Sequence, residues 1–387
     1  IMALCEFFPN YIWNLSVSIA VASGAELGEI VDMCEPIKRA ADEGADAGTP
    51  AFMKEWAKKA DTLSELANED LERGRNLSAA EKFRRASLYY TTAERMQGAG
   101  QPGKAVTFAK AQSAFKQYIE LSGENCTRVE IPYKGAVIPA LFTRAEGVDG
   151  PAPCVLFTNG LDSCKELLFW SWLPHALAKR GISTLCVDQP GTGETLRLHN
   201  LPATPYAEEW ATPCYEYLAG RDDVDGERVG VSGISLGGHF AARAAAYEPR
   251  FASAAVWGAN HNWHEVQIGR LDSEGENPVP HYWKHVYWVF GATDKEDFFK
   301  KIEGMDMNGH MDRIKMPFLI THGASDRQIN VKYAHQAFEQ MTNSIKPELK
   351  IFTAREGGVE HVGADNMSYG RDYIADWFAD TLGDQRR

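Results

Sequence analysis

At 387 residues the chain is too long for one ordinary core and suits one large domain plus a smaller one. Its apolar fraction of 44% and charged fraction of 24% are those of an ordinary soluble globular protein. The formal net charge of −13, with no basic run, argues against nucleic acid or an anionic membrane as partners.

Residues Ile1–Ala22 are mildly apolar, but Glu6, Pro9 and Asn10 interrupt them and no basic segment precedes them, so no signal peptide is read. No apolar run approaches the roughly 18 residues of a membrane span. Seven scattered cysteines without a C-x-x-C pair suit a cytoplasmic enzyme. Residues 30–122 read as helices: Ala51–Arg73, a segment opened by a capping box at Ser78 and Glu81, and Ala105–Leu121. Residues 1–124 are therefore expected to form a helical domain, packed lid-like over the active edge of a sheet formed by the rest of the chain. Its aromatics Phe83, Tyr89 and Tyr90 are expected in its core. The alternative is a dimerisation module, which leaves a homodimer open.

From Cys126 the pattern changes. CTRVEIPY and AVIPALFTRA alternate as a hairpin with its turn at Lys134-Gly135. Apolar strands then come at Cys154–Thr158, Ser183–Val187, Val229–Ser232, Ser253–Trp257, Phe318–Thr321 and Lys350–Thr353. Helices between them are expected near Glu166–Arg180, Tyr206–Gly220, Leu236–Tyr247, Val331–Met341 and Tyr369–Leu382. Such alternation predicts a mostly parallel sheet with right-handed crossovers. Residues 260–311 carry no strand signal and include the aromatic run HYWKHVYWVF. They read as a cap inserted over the sheet's active edge.

The chemistry centres on Gly233-Ile234-Ser235-Leu236-Gly237, which comes after the strand RVGVS and opens the helix LGGHFAARAAAY. Strand, sharp turn and helix are the context a nucleophile elbow requires, and side chains at either glycine would clash with neighbouring backbone. A serine hydroxyl needs a base held by a third group. Asp326, just past the strand PFLITHG, is the candidate acid, ahead of Asp306 and Asp312. His361, in the loop beyond the last strand, is the candidate base, because His335 falls inside a helix. His322, at a strand end, reads as a packed or hydrogen-bonded core residue. An oxyanion hole needs two backbone N–H donors. Leu236 supplies one; Leu161, with Gly160 next, is placed for the other. Asp188, Pro190, Gly191 and Gly193 read as a turn beside the site. No cofactor or metal is expected: Gly191-Thr192-Gly193 does not complete a dinucleotide loop, and His281 and His285 have no third ligand.

The segments TNGLDSCKE, GISLGG and GGVEHVG, behind a helical N-terminal domain, resemble those of a subgroup of the α/β-hydrolases. The subgroup includes dihydroxypseudooxynicotine hydrolase, fermentation-respiration-switch type esterases and the fungal hydrolases that shorten polyketides in pigment pathways. The resemblance implies an α/β-hydrolase fold with an eight-stranded sheet, residues 125–387 as its catalytic domain, and Asn159 where many relatives carry histidine. It also implies hydrolytic acyl cleavage of a C–C bond beside a ketone (retro-Claisen) or of an ester, on a small-molecule substrate. The aromatic insertion, with Trp283, Tyr287 and Trp288 as candidate substrate contacts, suggests a polyketide-like or aromatic one. Two rivals remain: a lyase, cyclase or acyltransferase using the same triad, and a non-catalytic ligand-binding relative.

Overall fold

The structure, a computed structural model, describes residues 4–43, 50–95, 97–272 and 282–383. The chain divides into two compact units, residues 1–125 with 275–286, and residues 126–274 with 287–387. Among the described residues no helix is long and apolar enough to cross a membrane.

The first unit is helical: α1 (Tyr11–Ala22), α2 (Leu27–Asp42), α3 (Phe52–Glu72), α4 (Asn76–Arg95) and α5 (Lys104–Ser122). Its core is aromatic. The Trp13 ring lies 4.6 Å from that of Phe52, Phe52 stacks on Trp56 at 5.2 Å, and Trp56 meets Tyr89 edge-on at 5.5 Å. Phe83, Tyr89 and Tyr90 are all buried, and the Tyr90 hydroxyl donates to Asp61. The capping box does not open α4 as expected. Gly74, at φ 69°, turns the chain so tightly after α3 that the helix already begins at Asn76, which leaves Ser78 inside its first turn. The helices α1 and the start of α2 also lie ahead of the segment that reads as helical from sequence.

The second unit opens with the antiparallel hairpin β1 (Cys126–Tyr133) and β2 (Ala136–Thr143), Tyr133 pairing with Ala136. Lys134 and Gly135, at φ 44° and 75°, make the two-residue turn, whose twist matches that of the strands. Next come β3 (Ala152–Thr158), α6 (Lys165–Phe169), α7 (Leu173–Ala178), β4 (Ser183–Val187), α8 (Gly193–His199), α9 (Glu208–Ala219), β5 (Val224–Ile234), α10 (Leu236–Tyr247) and β6 (Ser253–Trp257). After α11 (Trp263–Asp272), α12 (Tyr282–Val289) and α13 (Lys295–Lys301) come β7 (Phe318–Gly323), α14 (Lys332–Gln340), β8 (Pro347–Phe352) and α15 (Met367–Leu382). The single helix expected at Glu166–Arg180 is two helices. Trp172 takes φ 64°, and Pro174, which has no N–H to donate, opens α7. The unit boundary within 260–311 falls inside α12, between Val286 and Tyr287.

The eight strands form one sheet in the order β1-β2-β4-β3-β5-β6-β7-β8, with β4, β3, β5, β6, β7 and β8 mutually parallel. Central strands β3, β4 and β6 are buried along their whole length, which is why they read as unbroken apolar runs. The parallel strands deliver their C-terminal ends, and the loops beyond them, to one edge.

The loops after β3 and β4 are tied together at that edge by charge. Lys165 is 0% exposed. Its ammonium meets Glu166 at 2.7 Å, Asp188 at 3.1 Å and Glu194 at 2.7 Å. Asp188 also accepts from the Lys165 and Glu194 backbone N–H groups, and Arg128 reaches the far oxygen of Glu194. Burial alone would lower the Lys165 pKa, but Asp188, Glu166 and Glu194 drive it well above its ordinary range. Gly193 is required beside this cluster, because a Cβ there would lie 2.1 Å from the Asp188 carboxyl. Removing one member strands the others as buried charges. Lys165→Met should therefore lower stability by about 3–5 kcal/mol, read as a large drop in calorimetric melting temperature.

Candidate active site

Ser235 stands between β5 and α10 at φ 52° and ψ −120°, a backbone conformation L-residues rarely adopt. Its N–H donates to the Trp257 carbonyl, and its own carbonyl accepts from Gly238 and Asn260. A Cβ on Gly233 would lie 2.1 Å from the Gly237 carbonyl oxygen, and one on Gly237 would lie 2.4 Å from that of Asn159. Both glycines of the elbow are needed for backbone to pass backbone.

The structure brings Ser235, His361 and Asp326 together. His361 Nε2 is 2.9 Å from Ser235 Oγ, and Nδ1 is 2.8 Å from Asp326 Oδ2. With Nδ1–H donating to the carboxylate, Nε2 carries the lone pair that can take the serine proton. Asp326 lies just after β7 and is buried. Its Oδ1 accepts from the Gln328 and Ile329 N–H groups, both at 2.8 Å, and its Oδ2 also faces His322 Nε2 at 3.3 Å. Burial would raise the Asp326 pKa. The His361 and His322 imidazoles outweigh it and hold the carboxyl well below the usual carboxylate range. It is therefore an acceptor throughout the neutral range.

The histidine loop has its own organiser, which sequence reading missed. Asp365 accepts from the Gly358, Val359 and Glu360 N–H groups at 2.9, 3.2 and 2.9 Å. Glu360, next to the histidine, forms a two-pronged ion pair with Arg327, next to the acid. Val362, at φ 49°, gives the loop its bend.

On the opposite side, Leu236 is the first residue of α10, where a helix leaves its N–H groups without intrahelical partners. Gly160 presses against Ser235: a Cβ there would lie 3.3 Å from Ser235 Cβ. Leu161 comes next, half-buried. This loop is pinned by Gln189, which also escaped the sequence reading. The Gln189 side chain accepts from Asn159 N–H at 3.0 Å and donates to the Asn159 carbonyl at 2.7 Å, while the Asn159 amide donates to Val187 O. Asn159 thus serves as loop anchor.

The aromatic candidates fall on both sides of the unit boundary. Trp283 belongs to the helical unit, with its ring against Tyr282. Tyr287 and Trp288 belong to the sheet-bearing unit, where Tyr287 packs on Phe298 and the Arg197 guanidinium lies 5.1 Å over Trp288. His281 lies outside the described residues.

The sequence pattern of the FrsA-like esterases matches residues 44–270, and that of the prolyl oligopeptidase family matches residues 170–385. The chain is 26% identical to hydrolase LUC6 of Fusarium sp, over 98% of this chain and 99% of that one. It is 27% identical to 2,6-dihydropseudooxynicotine hydrolase of Paenarthrobacter nicotinovorans, over 84% and 83%, and 27% identical to 20-hydroxy-prefusarin hydrolase FUS2 of Gibberella moniliformis, over 91% of each chain. A crystal structure of 2,6-dihydroxy-pseudo-oxynicotine hydrolase superposes with a TM-score of 0.75 over 95% of both chains at 22% identity. That likeness and the sheet order establish the α/β-hydrolase fold.

Gln189→Leu leaves both main-chain groups of Asn159 unpartnered and frees the Gly160–Leu161 segment. On an aryl ester it should lower kcat by about tenfold or more while KM stays within about threefold, the pattern of a lost transition-state contact.

Proposed function

The chain belongs to the FrsA-like esterase family, and from that premise we propose that it is a serine hydrolase transferring an acyl group to water from a C–C bond beside a ketone, or from an ester, of a polyketide-like or aromatic substrate. The observation that carries this reading is His361 held between Asp326 and Ser235 at 2.8 and 2.9 Å.

In the proposed course His361 Nε2 takes the Ser235 proton as Oγ attacks the carbonyl. The oxyanion forms against the N–H groups of Leu236 and the Gly160–Leu161 segment. The carbonyl re-forms, the bond to the leaving group breaks, and the imidazolium returns the proton to it. Water, deprotonated by His361, then attacks the acyl-serine, and the carboxylic acid leaves. For a C–C bond the departing carbanion must be an enolate, stabilised by a second carbonyl, so β-diketones are the natural substrates of that branch. Relatives named 2,6-dihydropseudooxynicotine hydrolase and 20-hydroxy-prefusarin hydrolase support a small-molecule substrate. Tyr287 and Trp288 are its proposed aromatic contacts. A cytoplasmic setting fits seven cysteines that are all unpaired, six of them buried.

A fluorophosphonate should label Ser235 in the wild type and not in Ser235→Ala. That variant should lose several orders of magnitude in kcat, with residual catalysis from the oxyanion donors. Ser235→Ala retaining a tenth of wild-type activity would rule out the assignment. Product analysis on aryl esters, thioesters and aromatic β-diketones then separates the two branches. Trp288→Ala should raise KM for a bulky aromatic substrate more than for a small acetyl ester. Equal losses on both, with a large fall in melting temperature, would make Trp288 a packing residue.

A further inference from the structure

His322 is the second imidazole on the triad acid, and its partners give it more than a packing role. It occupies β7 four residues before Asp326 and is fully buried. Its Nε2 lies 2.8 Å from the Ile329 carbonyl and 3.3 Å from Asp326 Oδ2. Both neighbours are acceptors, so Nε2 carries the proton and shares it between them. Ile329 in turn donates its N–H to Asp326 Oδ1. The three residues close a ring: carboxylate to Ile329 N–H, Ile329 carbonyl to His322, His322 back to the carboxylate. Within it Asp326 cannot rotate about its Cβ–Cγ bond without breaking the His322 contact on one oxygen and the Gln328 and Ile329 contacts on the other.

We propose that His322 is a positioning residue of the catalytic machinery, holding the Asp326 carboxylate at the angle that keeps Oδ2 on His361 Nδ1. The proposal rests on the serine-hydrolase reading above. His261, which interacts electrostatically with His322, and His239, which interacts with His261, are both buried, and burial pushes each down to about 3. The Asp326 carboxylate itself is held by donors on both oxygens, Gln328 and Ile329 on Oδ1, His361 and His322 on Oδ2. An apolar residue at 322 leaves the Ile329 carbonyl buried without its donor and frees the acid to turn.

The test is a double-mutant cycle read by ester kinetics, fluorophosphonate labelling rate and melting temperature. His322→Leu should lower kcat and the labelling rate by about 10–100-fold, the scale on which losing an outer partner weakens a metal-ligating histidine or carboxylate, with KM within about twofold. His322→Gln, whose amide N–H can reach the same carbonyl, should recover to within about fivefold of wild type. In an Asp326→Asn background His322→Leu should cost less than about twofold more, because residues acting as a unit are non-additive. If His322→Leu does not fold, His322→Asn, whose shorter amide falls short of the ring, takes its place in the cycle. Unchanged kcat in His322→Leu, or the same fold loss in both backgrounds, overturns the proposal and leaves His322 as packing. A wild type that does not label removes the serine-hydrolase reading itself, and the proposal with it.

Discussion

The site depends first on one residue held where L-residues rarely sit. Ser235 at positive φ costs about 1–3 kcal/mol of backbone strain. The strain is held by the elements on either side of the turn. β6 supplies the Trp257 carbonyl to the serine N–H, and Asn260, three residues on, donates back to the serine carbonyl. α10 starts at once, and its Gly238 N–H takes the same carbonyl. The turn can be this sharp only because Gly233 and Gly237 let backbone pass within side-chain distance, and because Gly160 lets the neighbouring loop lie against the serine. A position on β5, one on β6, one on the loop after β3 and the first turn of α10 are thus all fixed by where a single hydroxyl must stand.

A second rule organises the loops of the same edge. Loops beyond the strand ends have backbone N–H groups that no ladder satisfies. Here a carboxylate collects them at three places on that edge. Asp188 takes the Lys165 and Glu194 N–H groups, Asp326 takes those of Gln328 and Ile329, and Asp365 takes those of Gly358, Val359 and Glu360. Each carboxylate converts a flexible turn into a fixed one and is itself fixed by the turn. Of these three, only Asp326 has an oxygen left to face an imidazole that touches Ser235. The acid and histidine loops are then locked to each other by the Arg327–Glu360 pair and by Ser325 N–H on the Val359 carbonyl. The alignment of Asp326 with His361 is a property of two loops that have become one piece.

This division explains what could be read from the residues in advance. The strands β3, β4 and β6 are continuous apolar runs, the Lys134-Gly135 turn has few alternatives, Ser235 and Asp326 are each placed by a strand that ends just before them, and His361 by the loop beyond the last strand. Those features are local in sequence and carry a period or a context. Gln189 and Asp365 carry neither. Each is a polar residue in a loop, and its role appears only when the backbone it serves, Asn159 or residues 358–360, folds beside it. His322 could be placed at a strand end but not against a particular carboxylate. The capping box at Ser78 misled for a related reason: the tight turn at Gly74 sets where α4 begins and overrides a favourable local pattern. The break at Trp172 was hidden because its neighbours keep an apolar spacing on both sides.

The arrangement also locates where the choice of scissile bond has to be made. In the proposed mechanism, attack by Ser235, proton removal by His361 and oxyanion stabilisation near Leu236 are the same whether the departing atom is oxygen or carbon. A donor aimed at the oxyanion is worth about 3–4 kcal/mol, yet it lowers both barriers alike, as does Asp326 through its hold on the imidazolium. The difference lies one bond further out. An alkoxide accepts its proton from His361 directly at the atom that leaves. An enolate spreads its charge onto a second oxygen, which must find stabilisation of its own before the carbon is protonated. Selectivity for a C–C bond therefore requires a polar contact for that second carbonyl beyond the reach of the triad, and an ester-cleaving site has no such requirement. On the proposed reading, the groups around Ser235 define the acyl chemistry, and the residues facing the leaving group define which acyl compounds it serves.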